Sequence, residues 1–202
     1  MNLIALSVYN FWFGTNGLSV DAVKVQSAIW WKSSTDTDYD IERRFGKLVE
    51  AAGKGAFGDW MNEAKSALAL IILHDQFPRN LYRGSAKAFS HDEQALKYAK
   101  QLINSALFEE LAPVEKAFAL MPFEHSEQIE DQETAVTQFN LLAKSAAPEW
   151  KDSMKGYQKF ALDHMEIVQR FGRFPHRNKV LGREPTKEEV DYLENGGRSF
   201  GQ

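Results

Sequence analysis

Apolar residues in this chain recur at spacings of three and four, and nowhere do they alternate cleanly with polar ones between hairpin turns. Three-and-four spacing lines up one face of a helix, whereas a half-buried strand needs a period of two. An all-α fold is therefore expected. The pattern predicts helices near 2–12, 19–31, 38–53, 58–76, 90–104, 113–120, 126–146, 150–172 and 186–194. The loops between them are short, so neighbouring helices should run antiparallel as a stack or bundle. No clean 34-residue repeat is visible. One domain is expected over 1–194, with a C-terminal tail at 195–202 that is frayed or held only by Phe200.

Local chemistry marks several boundaries. Ser90 stands three residues before Glu93 and Thr186 three before Glu189, the spacing of a capping box. Pro113 suits the first turn of its helix, where a missing N–H costs little. Pro78 and Pro175 are each expected to close a long helix just upstream, since proline removes a donor and restricts the residue before it.

Composition narrows the chemistry. At 202 residues, 44% hydrophobic and 26% charged, the chain can bury a core that needs no disulfide or structural metal. Its zero cysteines exclude a thiol nucleophile and a zinc–thiolate cluster. A formal charge of −4 argues against nucleic acid, which calls for a basic face. The apolar run 67–73 is far too short for a membrane span. The first residues lack the cationic start of a signal peptide. The expectation is a cytoplasmic monomer or weak dimer with neither nucleic acid nor membrane as partner.

Phosphate loops, dinucleotide glycine patterns, nucleophile elbows and HExxH are all missing. Glu124, His125, Glu127, Asp131, His164 and His176 are metal-ligand types, but no two histidines share a helix face at i, i+3 or i, i+4. An oxygen-rich site for a hard cation is the metal option left open. Neither a metal nor a cofactor is expected.

Three predicted helices carry one polar residue where the period calls for an apolar one. Asp75 continues the stripe of Trp60, Ala64, Ala67, Leu68 and Ile71. Gln132 sits within that of Ile129, Val136, Phe139 and Ala143. His164 sits within that of Phe160, Ile167 and Phe171. Each therefore points inward. A buried carboxylate needs a cation or donors, and Arg79, one turn beyond Asp75, is an obvious partner. A satisfied core network explains such residues as readily as a functional site does.

Two segments reinforce the pattern. "DQFPRNLYRG" (75–84) and "RFGRFPHRNKVLGR" (170–183) both pair Phe-Pro with Arg and Asn, and the second holds five cations in fourteen residues. Between Glu124 and Glu133, by contrast, lie five acids and no Lys or Arg. These surfaces could simply pair with each other, each exposed bridge contributing little. Alternatively, surplus guanidiniums bind a carboxylate or phosphate through bidentate forks. On that reading Asp75, Arg79, Asn80 and Arg83 meet His125, Gln132, His164, Arg173, His176 and Arg177 in one concave pocket. The aromatic clusters at 11–13 and 30–31 read as core, with an exposed half able to line a pocket.

"FWFG", "WW", "LALIILHDQFPRNLYRG", "AFSHDEQAL", "PFEHSE", "EDQ" and "RFGRFPHRNKVLGR" together resemble a bacterial and fungal family known as domain of unknown function 924, from Phe11 to about Leu193. The resemblance implies a tetratricopeptide-like (TPR-like) stack of about eight or nine antiparallel helices. It implies nothing about function. His74 stands where many relatives carry Leu.

Two functions of different class fit these residues. One is a protein holding a small anionic metabolite with Arg79, Arg173 and Arg177 as clamps. Any proton transfer there falls to His164 or His176, with Asp75 or Gln132 orienting the ring. The other is a TPR-like module gripping a peptide, through its C-terminal carboxylate for example. The residues alone do not separate a site that reacts from one that only holds.

Overall fold

A computed structural model of the chain describes residues 1–32 and 34–200. Among these residues there are nine α-helices and no strand. They are α1 (Leu3–Phe13), α2 (Val20–Trp31), α3 (Thr35–Gly53), α4 (Ala64–Leu81), α5 (Asp92–Ile103), α6 (Pro113–Glu124), α7 (Ile129–Ser145), α8 (Lys151–Phe171) and α9 (Lys187–Glu194). Every expected helix is present. No helix among the described residues is long and apolar enough to cross a membrane.

Helix α4 is the central element. Its residues from Ala67 through Pro78 are all buried, polar ones included. A helix buried on every side needs neighbours all round, and α1, α3 and α5 pack against it. Beyond it the chain continues as an antiparallel series in which α5 meets α6, α6 meets α7, and α7 meets α8. The result is a helical stack consistent with a TPR-like arrangement. Trp12, Phe13, Trp30 and Phe118 pack edge to face at its heart, with Phe118 4.7 Å from Trp30 and 5.4 Å from Phe13. A smaller cluster of Ile167, Val168 and Phe174 holds the C-terminal end.

Helix ends follow local chemistry only in part. Pro113 opens α6, and the Glu115 carboxylate accepts from the Ala112 N–H at 2.6 Å and from the Tyr9 hydroxyl. Thr186 and Glu189 form the expected capping box at the start of α9, with bonds of 3.2 and 2.6 Å. Thr186→Ala should cost α9 about 1 kcal/mol. Hydrogen exchange should show this as faster opening of α9 with α3 and α4 unchanged. Ser90, in contrast, does not cap α5. Its hydroxyl donates to the Lys87 carbonyl at 2.8 Å, inside the 3-10 turn Ala86–Phe89, and α5 starts at Asp92 without a side-chain cap.

The prolines depart from expectation in an instructive way. Pro78 lies inside α4, which runs on to Leu81, and Pro122 lies inside α6, which runs on to Glu124 rather than stopping at 120. Both prolines are buried, and packing carries the helix past the missing donor. At Pro78, Arg79 also folds back to donate from Nη1 to the Asp75 carbonyl at 2.7 Å. Pro175 does not close α8 either. Gly172 does so in a left-handed conformation (φ +69°), its N–H reaching the Val168 carbonyl at 2.8 Å. Pro175 instead begins a 3-10 turn, Pro175–Arg177.

Candidate functional site

A cavity of about 1070 Å³ opens on one face of the stack. Its helical lining comes from α2, α4, α6 and α8, while α3, α5 and α7 contribute nothing to it. Continuation of α4 past Pro78 matters here. It places Arg79 and Asn80 at i+3 and i+4 from Gln76, and with Arg83 in the turn after the helix all four line the cavity. Continuation of α6 past Pro122 does the same for Met121 and Glu124, with His125 at the helix end.

Asp75 lies behind this wall, fully buried. Its Oδ1 meets His125 Nδ1 at 2.7 Å and Arg79 Nη1 at 3.2 Å, and its Oδ2 accepts from Gln76. Burial alone would push the Asp75 carboxyl up. The His125 ring and Arg79 guanidinium against it, with the hydrogen bonds, hold it down at about 2. Burial and then Arg79 push His125 below the ordinary imidazole value. The neutral ring donates its Nδ1–H to the carboxylate in a hydrogen bond, which leaves the unprotonated Nε2 as the acceptor on a residue lining the cavity.

The two Phe-Pro segments do converge. Arg79 forks onto Asp92 at 2.8 and 2.9 Å, and Arg177 approaches the same carboxylate at 3.6 Å. Arg177 also donates to the His125 carbonyl at 2.9 Å, clasped between the rings of Phe89 and Phe174 at 4.6 and 4.5 Å. Burial, and then Arg79, lower its pKa to about 10, so it stays charged at neutral pH.

Several sequence-derived candidates are placed differently from expectation. Arg173 is outside the cavity, forked onto Glu189 at 2.6 and 2.8 Å, where it ties α8 to α9. Arg177 is behind the wall rather than on it. Arg83 and Asn80 both bind Asp38, at 3.2 and 2.9 Å. The candidate guanidiniums are therefore not surplus, since each already faces a carboxylate. Lys179 and Lys32 line the cavity with no carboxylate partner among the described residues.

Gln132 does not orient His164. Its amide nitrogen holds the carbonyls of Phe123, Glu124 and Ser126 at 3.3, 2.7 and 2.6 Å, pinning the turn that presents Glu124 and His125. His164 does line the cavity, but its Nδ1 donates to the Phe160 carbonyl at 2.8 Å and Phe200 stacks on its ring at 3.6 Å. The tail is thus held by Phe200, while Gly201 and Gln202 lie outside the described residues. Burial, then His125, push His164 down to about 3, so it is neutral. His176 lines the cavity 6.1 Å from Phe200. Phe160 is 55% exposed rather than inward, and Trp31, at 57%, is the exposed half of its pair; both lie along the cavity.

A family described as "Bacterial protein of unknown function (DUF924)" matches residues 8–197. The chain belongs to this family. A solved structure, described as a protein of unknown function, ATU0120 from Agrobacterium tumefaciens, is similar at 32% identity and a TM-score of 0.81. The match covers 96% of this chain and 98% of that one. No curated protein matches. Within DUF924, then, the chemistry of this cavity has to be read from its own side chains.

Reading the sequence took Glu124 only as a metal-ligand type in an acidic segment, not as an inward-facing residue of the pocket, and missed Gln76. Glu124 continues the stripe of Val114, Ala117 and Met121 on α6, so the argument that found Asp75 applies to it equally. Ending that helix at 120 hid the signal.

Proposed function

We propose that this protein holds a small organic anion with an apolar body in the cavity, and that His125, oriented by Asp75, exchanges a proton with it. The observation that carries this reading is the Asp75–His125 pair at 2.7 Å on the wall of a cavity also lined by Trp30, Trp31, Trp150, Tyr157 and Phe160. A carboxylate behind an imidazole fixes the tautomer and offers Nε2 as a base, an arrangement suited to proton transfer. The cavity volume is near the upper end for a site enclosing one small molecule. Lys179 and Lys32 line the same cavity and supply positive charge with no carboxylate partner among the described residues.

The test is a thermal-shift screen of aliphatic and aryl carboxylates and phosphate monoesters, read together with tryptophan fluorescence. A ligand at 100 times its dissociation constant should stabilise the fold by about 2.7 kcal/mol. Trp30, Trp31 and Trp150 line the cavity, so emission should change as well. Lys179→Glu should abolish both signals. Absence of any anion response with the wild-type protein rejects the reading.

Gripping of a peptide is the second reading, favoured by the exposure of Trp31 and Phe160 at the cavity. Adding short peptides with free and amidated C-termini to the screen separates the two.

A further inference from the structure

Glu124 is 5% exposed and lines the cavity, and no hydrogen bond or ion pair reaches its carboxyl among the described residues. It is an exception in its surroundings. Asp75 has Arg79 and His125, Asp92 has Arg79 and Arg177, and Asp38 has Arg83 and Asn80. A buried carboxyl with an unmet oxygen is costly, and an apolar side chain at this position would avoid that cost. A polar group kept unpartnered on a cavity wall is one that a ligand can satisfy.

We propose that Glu124 receives an organic ammonium group, so that the ligand of this cavity is amphoteric, with its cationic end at Glu124 and its anionic end toward Lys179. This rests on the reading of the cavity as a site for a small organic anion. Three features select a cation over a neutral donor. The Asp75 carboxylate adds negative potential at Glu124, raising its pKa further after burial has already done so. No Lys or Arg forms an ion pair with Glu124 among the described residues. The third feature is the aromatic wall. Tyr157 lies within the electrostatic reach of Glu124, and Trp31 is 6.1 Å from Tyr157 and 6.3 Å from Trp30. Aromatic faces beside a carboxylate attract ammonium groups. A metal ion is not the matching occupant, because no group of three or more His, Asp or Glu among the described residues is arranged to hold one.

Burial and then the Asp75 carboxylate favour the protonated form of the Glu124 carboxyl when no ligand is bound. When an ammonium ion docks, the carboxyl O–H gives its proton to solvent and the resulting carboxylate pairs with the cation. The proton that the carboxyl carried is released when the ammonium binds, and no other bond changes.

Three probes sharing a phenyl body test this: 2-phenylethylammonium, 3-phenylpropionate and phenylalanine. Each is titrated calorimetrically in two buffers of different ionisation enthalpy. The amine and the amino acid should bind with net proton release, and the carboxylate with none. Glu124→Gln keeps the size and neutrality of the protonated side chain, so it should fold, which circular dichroism checks. It should weaken 2-phenylethylammonium by roughly 30-fold or more, the effect of removing one partner of a buried ion pair. It should leave 3-phenylpropionate nearly unchanged. Equal affinity of the amine for both proteins overturns the assignment, as does binding of 3-phenylpropionate without any binding of the amine. Binding of none of the three rejects the anion-site reading and this inference with it.

Discussion

Replacing Asp75 with alanine is expected to destabilise the fold by about 3–5 kcal/mol, because it strands charges and donors gathered around one buried carboxylate. Asp75 is fully buried and takes His125, Arg79 and Gln76 at once. Without it, Arg79 keeps Asp92 but loses half of its counter-charge, and the His125 N–H is buried without an acceptor. Asp75→Asn should cost less, since its amide oxygen can still accept from His125. Urea denaturation at constant slope measures both. A loss under about 1 kcal/mol for Asp75→Ala would show that the network contributes no more than an ordinary hydrogen bond.

The pH dependence of this term has a definite sign. The folded pKa of Asp75 is depressed to about 2 from an ordinary 3.8. Its stabilisation is therefore fully present above 3.8 and is lost as the pH falls toward 2. Asp75→Asn should flatten that acid limb.

Changing His74 to leucine should have a comparable effect of opposite sign. His74 is fully buried in α4 with neither ring nitrogen hydrogen-bonded, its ring 5.3 Å from His91 and 5.4 Å from Tyr98. A neutral imidazole there leaves one donor and one acceptor unmet, so leucine should gain about 1–3 kcal/mol at pH 7. Burial first, and then His91, push the folded pKa down to about 4, with Asp75 opposing. Above the ordinary value of 6.5 both folded and unfolded rings are neutral and nothing changes. Below 6.5 the unfolded chain takes up a proton that the folded chain refuses until about pH 4, and stability falls throughout that window. For His74 the loss amounts to about 3 kcal/mol. His74→Leu should remove that part of the slope, while His164, depressed to about 3, keeps its own. Unfolding free energies at pH 7, 5.5 and 4 give the comparison. Equal slopes for wild type and variant would exclude His74 as the origin.

The His74 and Asp75 windows do not overlap, since His74 acts from pH 6.5 to 4 and Asp75 below 3.8, while His164 contributes across both. Each can be removed alone, so the network behind the cavity can be weighed separately from the core that surrounds it.

Helix positions were legible because a helix is made locally. Its bonds join residues four apart, and a period of 3.6 writes the buried face into the sequence. That period alone placed Asp75, Gln132 and His164 inward, and all three are buried. The Thr186 box and the proline at the start of α6 were equally local. What the sequence could not decide was whether a helix survives a proline. The answer depends on neighbours packed against Pro78 and Pro122, and with it went the cavity face of Arg79 and Asn80 and the position of Glu124. Nor could it decide which acid meets which cation. Asp92 joins Arg79 to Arg177, Glu127 takes Arg183 at 2.6 Å across 56 residues, and Arg173 turns to Glu189 instead of the cavity. A charge carries no record in the sequence of its partner, because pairing follows distance in space. Only the tertiary stack brings these groups within 4 Å, and only there does Glu124 emerge as the buried acid with no partner among the described residues.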